Sequence, residues 1–170
     1  MAVMTISNLK KVLSSMDRQE LEGLVLDLYS LPEIKDAVNL RFNPDFADEM
    51  VSHYEKKLAR ALMPANPEKM SMSAAKDILS EVKGLSAISP RVTAEIYLYA
   101  AECACDFTET FGDIDEPFYN DLSDFYQMAV DFAKTDEELK NELSDRFRTL
   151  NESFYGMGWG MDEVVDPEFD

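Results

Sequence analysis

Apolar residues recur at helical spacing along most of the chain, and the strict alternation of a half-buried strand is nearly absent. Residues 7–16 predict a short first helix with Leu9, Val12 and Leu13 on one side. In "MDRQELEGLVLDLYSL", Asp17 and Glu20 have capping-box spacing, and Leu21, Leu24, Val25 and Leu28 then form one stripe. Ser30-Leu31-Pro32 starts a third helix, with Pro32 in the first turn, where its missing N–H costs nothing. "FNPDF" repeats the device with Asn43 as cap and Pro44 as first residue, and Phe46, Met50, Tyr54, Leu58 and Leu62 follow at i, i+4 spacing.

"MPANPEKMSMS" (63–73) reads as a linker, and Ala75, Ile78, Leu79 and Val82 mark a helix ending near Gly84. Ser89-Pro90 opens "RVTAEIYLYAAECACDFTETF", which is apolar almost all round through Ile96–Cys105 and so predicts a central buried helix. A corner follows at 112–117, where Gly112 is expected to end the helix in a left-handed conformation. Phe118, Leu122, Phe125, Ala129 and Phe132 make the next stripe. Thr135 and Glu138 predict a capping box for the last helix, with Leu139, Leu143, Phe147, Leu150 and Phe154 on its inner side. The tail "DEVVDPEFD" is acidic and is expected to fray. The predicted fold class is all-α: an irregular helical bundle or short α-α superhelix of about eight helices. The expected organisation is a single domain over 1–170, divisible into an N-terminal helical unit (1–63), a C-terminal bundle (71–160) and an acidic tail (161–170).

Composition sharpens the picture through charge. Hydrophobic residues make up 46% of the 170, enough to bury a core without a disulfide or metal staple. The net charge is −18, and it is lopsided: residues 1–85 carry 11 bases and 13 acids, residues 86–170 carry 5 and 21. A C-terminal half this acidic repels a phosphate backbone or an anionic membrane surface and attracts a basic protein surface or cations. The expected partner is therefore a protein with a basic surface, with no nucleic acid and no membrane. Lys56, Lys57 and Arg60 read as solvated helix faces. No apolar run approaches the roughly 18 residues of a membrane span. "MAVMTISNLKK" places its bases after the apolar residues, the reverse of a signal peptide, so a cytoplasmic location is expected.

Little in the chain carries chemistry by motif. Cys103 and Cys105 point roughly 200° apart on a helix and read as small buried apolar residues in a reducing compartment. His53 is the sole histidine, one turn after Glu49, and falls short of a metal set or a nucleophile–base pair. No phosphate-binding loop, dinucleotide fingerprint or nucleophile elbow occurs, so no catalytic residue, metal ligand or cofactor is assigned.

The most site-like stretch is "ETFGDIDEPFYND", with Asp113, Asp115 and Glu116 between a Gly and a Pro. A calcium loop needs oxygen ligands at alternating positions, and Pro117 interrupts that pattern. The helix-corner reading explains more: Asp115 caps the next helix, and Glu116 and Pro117 fill its first turn. In "FYGMGWGMDE", three glycines surround the sole Trp159, which suits a loop closing one end of the core or part of a peptide pocket. Asp113, Asp115, Glu116, Tyr119 and Trp159 are the candidate binding residues. The favoured function is a protein-binding or adaptor module. The alternatives are a carboxylate- or metal-dependent enzyme centred on Asp113, Asp115 and Glu116, and a structural or regulatory homo-oligomer.

"FGDIDEPFYNDL", followed about 35 residues later by "GMGWG", resembles a family of short, acidic, all-helical bacterial proteins of unknown function, as does "DRQELEGLVLDLYSLPEIKDAVNLRFNPD". The resemblance spans Leu9 to Gly160. It implies an intracellular helical protein, assigns no activity, cofactor or partner, and directs attention to Gly112–Tyr119 and Gly156–Gly160.

Overall fold

The computed structural model describes residues 3–169, so residues 1–2 of the N-terminal unit and residue 170 of the tail lie outside the description. Among the described residues the chain forms eight α-helices and no strand. They are α1 (Ile6–Ser15), α2 (Arg18–Leu28), α3 (Pro32–Phe42), α4 (Pro44–Leu62), α5 (Met72–Lys83), α6 (Pro90–Phe111), α7 (Glu116–Ala133) and α8 (Glu137–Phe154). Single 3-10 turns at Pro67–Lys69, Met161–Glu163 and Pro167–Phe169 complete the order.

Each start has a local cause. The Asp17–Glu20 capping box forms, with Glu20 N–H donating to Asp17 Oδ1 and Asp17 N–H donating to Glu20 Oε2, both at 2.9 Å. Ser71, Ser89 and Asp115 accept from the third residue beyond them, satisfying donors that the first helical turn leaves open. Asn43 occupies the cap position of α4, but its side chain makes no cap bond; Pro44 stands in the first turn, where a missing N–H costs nothing.

Two expected helix ends differ. Asp136, not Thr135, caps α8: its Oδ1 accepts from Glu138 N–H at 2.8 Å and Leu139 N–H at 3.2 Å. A carboxylate there takes two donors and complements the helix dipole, while the Thr135 hydroxyl turns back to Phe132 O at 2.7 Å and closes α7. Gly112 does end α6, but at φ 90° and ψ 180°, a positive-φ extended conformation open essentially to glycine alone, rather than in the left-handed helical region.

The core gathers on α6. Ile96, Leu98, Ala100, Ala101 and Ala104 are fully buried, and α6 packs most extensively on α7, then on α4, with α5 and α8 also against it. The stripes read from sequence supply the facing side chains: Leu58 and Leu62 from α4, Leu79 and Val82 from α5, Leu122 and Phe125 from α7, Phe147 and Phe154 from α8. Each such burial stabilises by roughly 1.5–3 kcal/mol. The core runs unbroken across residues 63–71, where Ser71 N–H donates to Ala61 O at 2.9 Å.

Two segments depart from expectation. The stripes of α1 and α2 face no core; neither helix buries a residue. The tail, expected to fray, is docked. Phe169 is 1% exposed, Asn151 Nδ2 donates to Phe169 O at 3.2 Å, and Asp166 N–H donates to Tyr126 Oη at 3.0 Å. Lys134 binds Asp166 at 2.7 Å and Glu168 at 2.9 Å, and Lys140 also binds Glu168. The cations that pair with this acidic tail come from the α7–α8 turn and from α8, far away in sequence.

Candidate functional site

The corner after α6 brings three of the five candidate residues together. Tyr119 Oη donates to Asp113 Oδ1 at 2.9 Å, and the Tyr119 ring stacks on Trp159 with centroids 5.4 Å apart and planes 13° apart. Burial, and then the Asp113 carboxylate, raise the Tyr119 pKa, so the phenol stays a donor. Trp159 has φ 54° and lies between Gly158 at 78° and Gly160 at 75°. Three consecutive positive-φ residues reverse the chain sharply, and Trp159 is the one that bears strain there. Asp115 spends its carboxylate on Phe118 N–H at 3.0 Å, and Glu116 occupies the exposed first turn of α7. Among the described residues no group of three or more His, Cys, Asp or Glu side chains is placed to hold a metal ion. His53 is exposed, its ring edge-to-face with Tyr54.

Beside this corner runs a groove between α6 and α8. Three hollows follow one another along it. One of about 340 Å³ lies at the corner, lined by Thr108, Glu109, Asp113, Ser153 and Met157. A second, of about 410 Å³, shares Ser153 and is lined by Met63, Glu102, Asp106, Arg146 and Leu150. The third, of about 390 Å³, lies at the α6 start, between Arg91 and the pair Glu138 and Glu142.

The groove is acidic because of one face of α6. Glu95, Glu102, Asp106 and Glu109 recur at spacings of 7, 4 and 3, which places them along one side of the helix. Arg146 of α8 grips Glu102 with two bonds, Nε–Oε1 at 2.8 Å and Nη2–Oε2 at 2.7 Å. Arg91 binds Glu95 at 2.7 Å and lies 3.5 Å from both Asp48 and Glu142. Both cations of the groove are thus already engaged. Burial raises the Glu95 pKa, and burial followed by the Glu109 and Glu102 charges raises that of Asp106. Asp106 makes no side-chain hydrogen bond or ion pair among the described residues, and Asp106, Glu109, Asp113, Glu138 and Glu142 are all exposed.

Burial pushes the Cys103 thiol up to about 11 and the Cys105 thiol up to about 12, so both stay protonated near neutrality.

Residues 4–166 match the model of a family described as "Family of unknown function (DUF6155)". The chain belongs to this family. No curated protein and no solved structure matches it. Membership in the DUF6155 family brings no activity with it, so the groove and the corner have to be read from their own chemistry. The acids of the groove were missed as a site from sequence because the apolar residues between them read as all-round burial. Their 7-4-3 spacing was the signal available.

Proposed function

We propose that the chain is a protein-binding module whose α6–α8 groove takes a basic segment of a partner protein. The observation that carries this reading is the excess of exposed carboxylates over bases along the α6–α8 groove. Asp106, Glu109, Asp113, Glu138 and Glu142 are exposed, and the only two arginines lining its hollows are already paired. Met63 and Met157, both half-buried, supply apolar footing between the acids, and thioethers suit a surface that adapts to more than one side chain. A lysine- or arginine-rich segment with an apolar side meets both features, its charge steering encounter and its apolar face giving residence.

The test is fluorescence anisotropy with a labelled lysine- and arginine-rich amphipathic peptide across a salt series. Wild type is expected to bind, with affinity falling as salt rises. Glu109→Lys with Glu142→Lys should weaken binding about tenfold or more, whereas Asp131→Lys, on exposed α7 surface away from the groove, should not. Equal binding by the groove variant and the α7 variant would discard the groove as the site.

A further inference from the structure

The helices α1 and α2 are locally specified yet cover nothing. Thr5 caps α1 by accepting from Asn8 N–H at 3.3 Å, and the Asp17–Glu20 box caps α2. Their lengths of 10 and 11 residues fall below the ~12–15 at which an isolated helix becomes even marginal in water. No hydrophobic residue before Leu40 packs against the core among the described residues. Instead Ile6, Leu9 and Val12 are 75%, 44% and 45% exposed, and Val25, Leu26 and Leu28 are 52%, 71% and 40% exposed. Leu26 lies about 150° round α2 from the stripe of Leu21, Leu24, Val25 and Leu28 and does not share this face. The other five leave on the order of 500 Å² open, within what a monomer shows as one patch and over half of the ~800 Å² each partner contributes to a standard interface.

Charge says what fits. Helix α1 carries Lys10 and Lys11 and no acid, for a net of +2. Helix α2 carries Arg18 against Glu20, Glu22 and Asp27, for a net of −2. At 100° per residue, Lys10 flanks the α1 stripe while Lys11 lies on the far side. Arg18 and Glu22, paired with each other, flank the α2 stripe on one side, and Glu20 and Asp27 flank it on the other, so its border is acidic on balance. The pair is therefore self-complementary. We propose that this face binds a second copy of the chain about a two-fold axis, α1 of each copy against α2 of the other, forming a four-helix bundle. In such an isologous contact the pairing of a basic helix with an acidic one is made twice, once on each side of the axis. The remaining surface directs copies to the same end. Residues 3–31 carry three bases and four acids, a net of −1, whereas residues 86–170 carry −16 and repel their own copy. This surface is separate from the α6–α8 groove and stands or falls independently of it.

Sedimentation equilibrium on the full chain tests the proposal, with helicity and melting temperature as fold controls. Wild type is expected at twice the chain mass. Val12→Asp, which touches no core residue, should shift it to a single chain with the melt of the core intact. Lys10→Glu with Lys11→Glu makes both helices acidic and should weaken the dimer about tenfold or more. Adding Glu22→Lys and Asp27→Lys, which reverses α2 and leaves the Glu20 cap alone, should restore it. A wild type that stays monomeric up to about 0.5 mM, a Val12→Asp variant that stays dimeric, or a four-fold charge swap that fails to rescue would each overturn the proposal.

Discussion

The ring of Phe169 stacks on that of Phe147, with centroids 4.2 Å apart and planes 30° apart. A residue in an acidic tail thereby becomes part of the core, joined to α8 through its ring and to Asn151 through its carbonyl. Asn151 is the junction, since its Oδ1 also accepts from Tyr126 Oη at 2.7 Å.

Phe169→Ala removes this plug. The loss should be about 3 kcal/mol, the scale of a phenylalanine deleted from a core. For a chain of this length that corresponds to a fall of roughly 6–12 °C in melting temperature, read by calorimetry or circular dichroism. A fall under 1 °C would show that the tail contributes nothing to the folded state.

The tail also predicts a pH dependence. Bonds from Lys140, then from Lys134, hold the Glu168 carboxyl at about 2, against an ordinary value near 4.5. A carboxyl depressed in the folded state contributes stability that is complete above its unfolded pKa and is lost as pH falls toward the folded one. The difference in melting temperature between wild type and Glu168→Gln should therefore be flat above about pH 5 and shrink toward zero by about pH 2. It should also shrink with added salt, because the group is at the surface. A difference that instead grew on acidification would contradict the ion-pair account.

Trp159 offers a test that separates strain from contact. Trp159→Ala loses the stack on Tyr119 and keeps a side chain at φ 54°. Trp159→Gly loses the same stack but relieves the backbone. The alanine variant should be the less stable of the two by about 1 kcal/mol, the cost of a left-handed residue bearing a Cβ. Denaturant melts compare them directly, and equal stabilities would mean the loop relaxes out of the left-handed region.

Much of this architecture was legible because its causes are local. Helix α6 announces itself by apolar residues on every side, and Asp115, Ser89 and the Asp17–Glu20 pair mark helix starts within three residues of the donors they satisfy. The corner residues Asp113, Tyr119 and Trp159 could be named from sequence, but their meeting could not, since 40 residues separate the two stacked rings. The tail was misread for the same reason. "DPEFD" looks solvated until Lys134, Lys140, Tyr126 and Asn151 are brought to it by the packing of α7 on α8. The stripes of α1 and α2 were seen, but a stripe says only that a helix wants cover, not from where.

Ala100, Ala101 and Ala104 sit at 0% exposure in the middle of α6, with Cys103 and Cys105 beside them. A helix that is hemmed in by four others and lined with the smallest side chains acts as a spacer: its girth fixes how far apart its neighbours stand. Enlarging any one of these fully buried alanines, even to valine, pushes added methyls against neighbouring helices, an overpacking that typically costs about 1–3 kcal/mol. The restriction on the middle of α6 thus comes from volume rather than from any reactive group it carries.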